Sequence, residues 1–163
     1  MRFRATWACV AVAGLALDVV TKIIAVSRLE PGEPVRLVGG LLTLRLIRNA
    51  GAAFSQGERF TAVFATAAML VLAYVGFRLV PRLGHSGWAV ALGLLTAGVS
   101  GNLTDRIFRS PGVLRGHVVD FVELPHWPIF TVADMCITSA AVMVIVLAVI
   151  KNVGVDGRRT AHE

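Results

Sequence analysis

A chain of 163 residues that is 56% hydrophobic and only 16% charged, with mean hydropathy +0.73, is too apolar for a water-soluble domain of this size. The formal net charge of +6 is spread over connections and ends. That excludes a concentrated nucleic-acid patch, and anionic headgroups account for it. Membrane lipids are the expected surroundings, with no nucleic-acid partner.

Four apolar runs, 7–26, 60–80, 88–108 and 133–150, each reach the roughly 17–25 residues that cross a bilayer. The expected fold is an all-α polytopic membrane protein, one membrane-embedded domain over 1–163 with four transmembrane helices. The first run opens with Arg2 and Arg4 as a signal peptide would. It is long, carries Asp18 and Lys22, and lacks a small-x-small cleavage site, so a retained span is expected. Too little apolar sequence precedes Cys9 for it to be a lipid-attachment cysteine.

Asp18 and Lys22, in DVVTK, are spaced i,i+4 and share one helical face, where they can pair. Ionisable groups inside a span face the bundle interior or a polar cavity; a structural ion pair is the plainer alternative. The connection 27–59 holds Pro31, Gly32, Pro34, Gly39 and Gly40. VRLV, a Gly-Gly turn and the alternation of Leu42, Leu44 and Leu46 read as a small surface β-hairpin, a half-cradle between helices 1 and 2. NAGAAFS follows, with Asn49, Gly51 and Phe54. It is either a turn into the second span or a place where Asn49 holds an extended peptide.

The second and third spans are joined by PRLGHSG, whose Pro81, Gly84 and Gly87 are ordinary breakers. The third span ends in TAGVSGNLTDRIF, where Gly98, Ser100 and Gly101 permit close helix packing. Asn102, Asp105 and Arg106 then fall within about one helical turn. A snorkelling helix end explains Arg106. It explains Asn102 poorly, because that amide sits a turn deeper and needs a partner.

The stretch 118–134, VVDFVELPHWPIFTVAD, cannot be one continuous membrane helix, since Pro125 and Pro128 each remove a donor and disfavour helix before them. It reads as a loop that drops into an apolar segment, with Asp120 on the loop and Asp134 at the helix mouth. Two acids held close at an apolar–aqueous boundary can share one proton, because like charges at contact cannot both ionise. Such a pair activates water without a metal, and no cofactor is expected. His117 and His126 are separated loop residues without zinc spacing. Cys9 and Cys136 belong to opposite ends of their spans, too far apart to bond.

Four spans place the end of the first, the start of the second, the end of the third and the start of the fourth on one side of the membrane. Asp18, Lys22, Asn49, Asn102, Asp105, Arg106, Asp120 and Asp134 all sort to that face. Scattered structural polar residues would not. Basic residues favour neither side by number, but they are denser on the shorter segments of the other face, which points to cytoplasmic termini.

The set DVVTK, RNAGAAFS, GNLTDR, VVDF and WPIFTVAD, in this order, resembles the bacterial lipoprotein signal peptidases (signal peptidase II) over nearly the whole chain. GNLTDR and the final WPIFTVAD are the specific parts. The resemblance implies an aspartyl endopeptidase of the inner membrane that cuts diacylglyceryl-modified prolipoproteins just before the lipidated cysteine. Asp120 and Asp134 match the catalytic pair, and Asn49, Gly51, Asn102 and Arg106 the substrate groove. Asp18, Lys22, Asp105 and Thr131 fall at supporting positions. The site is then extracytoplasmic, formed with segments 27–59 and 109–132, and cyclic peptides of the globomycin type are expected inhibitors. One departure is Thr131, where the family usually has Asn; a hydroxyl lacks the amide's paired donor and acceptor, so weaker support of Asp134 is expected. The alternative reading is a small four-span transporter or channel subunit, which should carry charges through the full depth of a pathway. A presenilin-type protease needs a GxGD motif that does not occur here.

Overall fold

The computed structural model describes residues 1–51 and 57–159, with 57–60 as backbone only. Phe54, singled out in the sequence, lies outside the described residues. Four helices follow the four apolar runs: α1 (Arg2–Arg28), α2 (Gly57–Tyr74), α3 (Ser86–Phe108) and α4 (Val132–Ile145). Both α2 and α4 run on into a π-helical turn, Val75–Leu79 and Val146–Ile150.

Among the described residues, three helical stretches are long and apolar enough to cross a membrane: Arg2–Arg28, Thr61–Arg82 and Val132–Ile150. Their outward residues, among them Val20, Ile23, Leu70, Phe77, Val142 and Val149, are exposed, as lipid-facing side chains are. The chain is a multi-pass membrane protein. α3 differs in kind. Its 23 residues span about 34 Å at 1.5 Å per residue, but Gly, Ser, Thr, Asn, Asp and Arg dilute its apolarity. It packs against α1, α2 and α4, and a helix among helices needs small residues more than greasy ones. A Cβ added to Gly98 would collide with the Ala133 carbonyl oxygen, and one on Gly101 would lie 2.5 Å from Asp18 Oδ2. The close packing expected from these small residues is realised.

The expected hairpin is present as β1 (Val35–Leu37) and β2 (Leu42–Asn49), antiparallel with Arg36 opposite Thr43. Gly39 and Gly40 turn it with φ of +64° and +91°, a region open to glycine. The sheet is wider than expected. A third strand, β3 (Val118–Glu123), pairs antiparallel with β2, setting Asp120 opposite Ile47 and Val118 opposite Asn49. Asp120 is therefore on a strand, not on a loop. Val118, Val119, Phe121 and Val122 are β-branched or aromatic residues that suit a half-buried pleat.

After β3 the chain turns through the two prolines, and Phe130 bridges back to Val122. Thr131 then caps α4. Ala25, Leu29, Leu46, Val119 and Phe121 form a buried cluster between the end of α1 and the sheet. A second cluster at the other end of the bundle gathers Val75, Val80, Trp88, Leu92 and Leu147. Trp88 Nε1 donates there to the Val153 carbonyl at 2.9 Å.

Candidate active site

The polar residues of the four helices converge on Lys22. This side chain is only 1% exposed, and its ammonium lies 2.8 Å from both Asp18 Oδ2 and Asp105 Oδ2. It also donates to Asn102 Oδ1 at 3.4 Å. Arg109 pairs with the other oxygen of Asp105, so two cations meet two carboxylates. Buried charges persist only when matched in this way.

Each of the two carboxylates then holds one strand or helix of the candidate pair. Asp18 Oδ1 accepts from the backbone N–H of Ala133 at 2.8 Å. Asp105 Oδ2 accepts from the backbone N–H of Val119 at 3.2 Å. Ala133 precedes Asp134, and Val119 precedes Asp120. A single buried ammonium thus fixes, through two carboxylates, the backbone immediately before both candidate acids. Gly116 helps to bring β3 there: its N–H donates to the Arg106 carbonyl at 3.0 Å, and a Cβ on it would strike the carbonyl of Asp105.

The acids themselves are each gripped by an asparagine. Asn49 Nδ2 donates to Asp120 Oδ2 at 2.8 Å, and Asn102 Nδ2 donates to Asp134 Oδ1 at 2.9 Å. Which end of each amide faces the acid is fixed by the other end. Asn49 Oδ1 accepts from the N–H of Gly51 at 2.8 Å, and Gly51 takes a φ of +100° that a side chain would strain. Gly51 therefore serves the site through Asn49. Asn102 Oδ1 is occupied by Lys22.

Asp134 Oδ2 accepts from the backbone N–H of Thr131 at 3.0 Å and lies 3.3 Å from its hydroxyl. The Thr131 hydroxyl accepts in turn from the N–H of Asp134, which completes a capping box on α4. The side chain that departs from the family pattern keeps its contacts with Asp134, because an N-cap needs one short oxygen and threonine has it.

Asp120 is buried, and burial is the main reason its carboxyl is pushed up to about 6. The charges of Asp134 and Asp105 add to that rise, while the Asn49 hydrogen bond and Lys22 oppose it. Its Oδ1 is buried and has no hydrogen-bond partner among the described residues. Arg106 faces the same space, with Asp120, Asp134 and Asp105 as its neighbouring charges. One of its guanidinium nitrogens donates to the Asn102 carbonyl at 3.0 Å, and the group lies 5.8 Å from the centre of the Phe64 ring.

All the site residues expected from the sequence belong to this one constellation. Two were missed. Phe64 is one of the apolar residues of a lipid-facing run, with Phe60 a turn before it, and hydropathy does not mark it. Thr61 is 1% exposed, and its hydroxyl donates to the Ala50 carbonyl at 2.6 Å, which ties the turn after Asn49 to α2. Both cysteines are free.

The chain is similar to known proteins over most of its length. The family model for signal peptidase (SPase) II matches residues 10–150. A lipoprotein signal peptidase of Mycobacterium avium (strain 104) is 46% identical over 143 residues, 86% of this chain and 76% of the relative. One from Rhodococcus jostii (strain RHA1) is 46% identical over 149 residues, 91% of this chain and 74% of the relative. Two solved structures, each described as a bacterial membrane enzyme, superpose with TM-scores of 0.71 and 0.73. Their identities are 27% and 25%; the first covers 89% of this chain and 93% of its own, the second 98% and 95%. The matched segment runs from α1 to the last turn after α4 and contains every residue of the constellation, so the chain belongs to the signal peptidase II family.

Proposed function

We propose that the chain is an aspartyl endopeptidase that removes signal peptides from diacylglyceryl-modified prolipoproteins, cutting just before the lipidated cysteine. The observation that carries this reading is the paired construction of Asp120 and Asp134. Each acid accepts from one asparagine, and each has the backbone before it anchored to the Lys22 cluster. A purely structural ion network has no need to hold two further carboxylates in matching fashion. The lipoprotein signal peptidases among its relatives supply the substrate class.

In this mechanism the pair holds one proton between its members. Asp134, at the amino end of α4 where the helix dipole favours negative charge, takes a proton from a water lying between the acids. Asp120, whose burial favours the protonated form, donates to the scissile carbonyl oxygen as the tetrahedral intermediate forms. Collapse of the intermediate returns a proton to the leaving amine. Arg106 holds a carbonyl or headgroup oxygen of the substrate, and Phe64 keeps the guanidinium at the groove wall by a cation–π contact.

The same reading makes α3 the fourth span. It sets both termini in the cytoplasm and the sheet with its acids at the extracytoplasmic face of the inner membrane. The acyl chains of the substrate then stay in lipid while the peptide bond reaches the interface. The test is cleavage of a diacylglyceryl-modified prolipoprotein by purified protein in detergent, with Asp120→Asn and Asp134→Asn alongside. Loss of cleavage in both folded variants is expected. Full activity in either removes that residue from the pair.

A further inference from the structure

On the side of β3 away from Asp120, a slot of about 170 Å³ opens between the end of α1 and the sheet. It is lined by Thr21, Ile24, Ala25, Arg28, Leu29, Leu44 and Phe121. Successive side chains of a strand point to opposite faces, so Phe121 turns away from the space that Asp120 faces. The lining is apolar except at one end. Thr21 offers no free hydroxyl, because its Oγ1 lies 2.8 Å from the Leu17 carbonyl and 3.0 Å from that of Asp18. Arg28, in the last turn of α1, is exposed and makes no ion pair among the described residues.

Leu17, Thr21, Ile24 and Arg28 are spaced i, i+4, i+7 and i+11, which puts them on one stripe of α1. Leu17 and Ile24 are 55% and 54% exposed. The slot is thus continuous with the lipid-facing flank of the helix below it and ends at the Arg28 guanidinium above it. A hydrocarbon chain lying along this stripe meets apolar surface over its length, and the group at its head meets a guanidinium. An apolar cavity of about 150 Å³ takes a benzene-sized guest, so the slot receives several methylenes and leaves the rest of the chain in the bilayer.

We infer that this slot binds one acyl chain of an anionic phospholipid, with the lipid phosphate on Arg28. A guanidinium binds phosphate oxygens through two parallel donors. The occupant is a bilayer lipid and not the substrate, because the slot lies behind the strand that carries Asp120. The lipid fills the space under β3 and belongs to the support of that strand.

The test is lipid binding to the whole protein in detergent, read by native mass spectrometry with phosphatidylglycerol and phosphatidylcholine of the same chains. One cation near a headgroup favours the anionic lipid about fivefold, and that preference is the expected result for the unaltered protein. Arg28→Gln, an exposed change, brings the ratio near one. Thr21→Phe fills the slot and lowers binding of both lipids. Thr21→Leu, a smaller filling change at the same position, repeats this arm if the bulkier variant does not fold. Equal binding of the two lipids to the unaltered protein overturns the inference, as does an unchanged ratio in Arg28→Gln. Displacement of bound phosphatidylglycerol by a diacylglyceryl lipopeptide in an Asp120→Asn background also overturns it, by assigning the slot to the substrate.

Discussion

The backbone N–H of Ala133 donates to Asp18 Oδ1 at 2.8 Å, joining the opening of α4 to α1 across 115 residues of sequence. Its counterpart is the N–H of Val119 on Asp105, and Lys22 sits between the two carboxylates. Lys22→Met leaves those carboxylates facing each other in a buried space. Breaking a buried pair by removing one partner costs about 3–5 kcal/mol. The expected outcome is a large drop in thermal midpoint in detergent, together with loss of cleavage. A midpoint within a degree or two of the unaltered protein would show that the ammonium does not hold the two segments.

Asn49→Ala removes one hydrogen bond to a carboxylate, which is worth about 1.5–3 kcal/mol. If that interaction is needed to hold Asp120 in the transition state, kcat/KM falls by roughly 10- to 100-fold, mostly in kcat. The direction of the pH effect is also fixed. Asn49 opposes the rise in the Asp120 carboxyl, so its loss lets that carboxyl rise further, and the limb of the pH–rate profile tied to Asp120 moves to higher pH. A profile that keeps its position while kcat falls would limit Asn49 to geometry.

Much of this was legible in the sequence because apolar length and the sorting of polar residues are strong signals. Asp18, Lys22, Asn102, Asp105 and Asp134 stand out against runs that have no other use for them. The third strand was not legible. Pro125 and Pro128 drew the reading of 118–134 towards a loop, while the partner of Val118 is Asn49, 69 residues earlier, and periodicity carries no information about such distant pairing. Hydropathy treats α3 less favourably than its neighbours because the middle helix of a bundle spends its surface on close contact. By its side-chain donors alone, Thr131 lacks what an amide would offer Asp134. Its role is set by its place at a helix start, where the backbone supplies the donors.

Thr131→Asn is expected to change stability by less than about 0.5 kcal/mol, since both residues are good N-caps. It should leave cleavage within a fewfold of the unaltered protein. Thr131→Ala removes the cap and one contact to Asp134, at a cost of about 1 kcal/mol, with reduced kcat. Equal behaviour of the two variants in thermal unfolding would remove the cap from the account.

Gly101→Ala places a Cβ 2.5 Å from Asp18 Oδ2. Either α1 moves away from α3 or Asp18 leaves Lys22 and Ala133, and both disturb the start of α4. Overpacking of this kind costs about 1–3 kcal/mol. The variant is expected to unfold at lower temperature and to cleave poorly, whereas Ser100→Ala, one residue away, should behave as the unaltered protein in both measurements.

The last prediction concerns stability against pH. The Asp120 carboxyl is raised from 3.8 to about 6 in the folded protein, chiefly by burial. A raised carboxyl favours the folded state fully below its unfolded value, and that contribution is lost as pH rises through 6. Above that point the ionised, buried Asp120 opposes folding, by an amount on the order of 3 kcal/mol at 1.36 kcal/mol per unit. Asp120→Asn has no charge to bury. It should therefore be more stable than the unaltered protein at pH 7.5 and close to it at pH 4, while it loses cleavage. Thermal unfolding of both proteins across that range in one detergent checks this. A constant difference between them at every pH would mean that the burial of Asp120 is not what sets its titration.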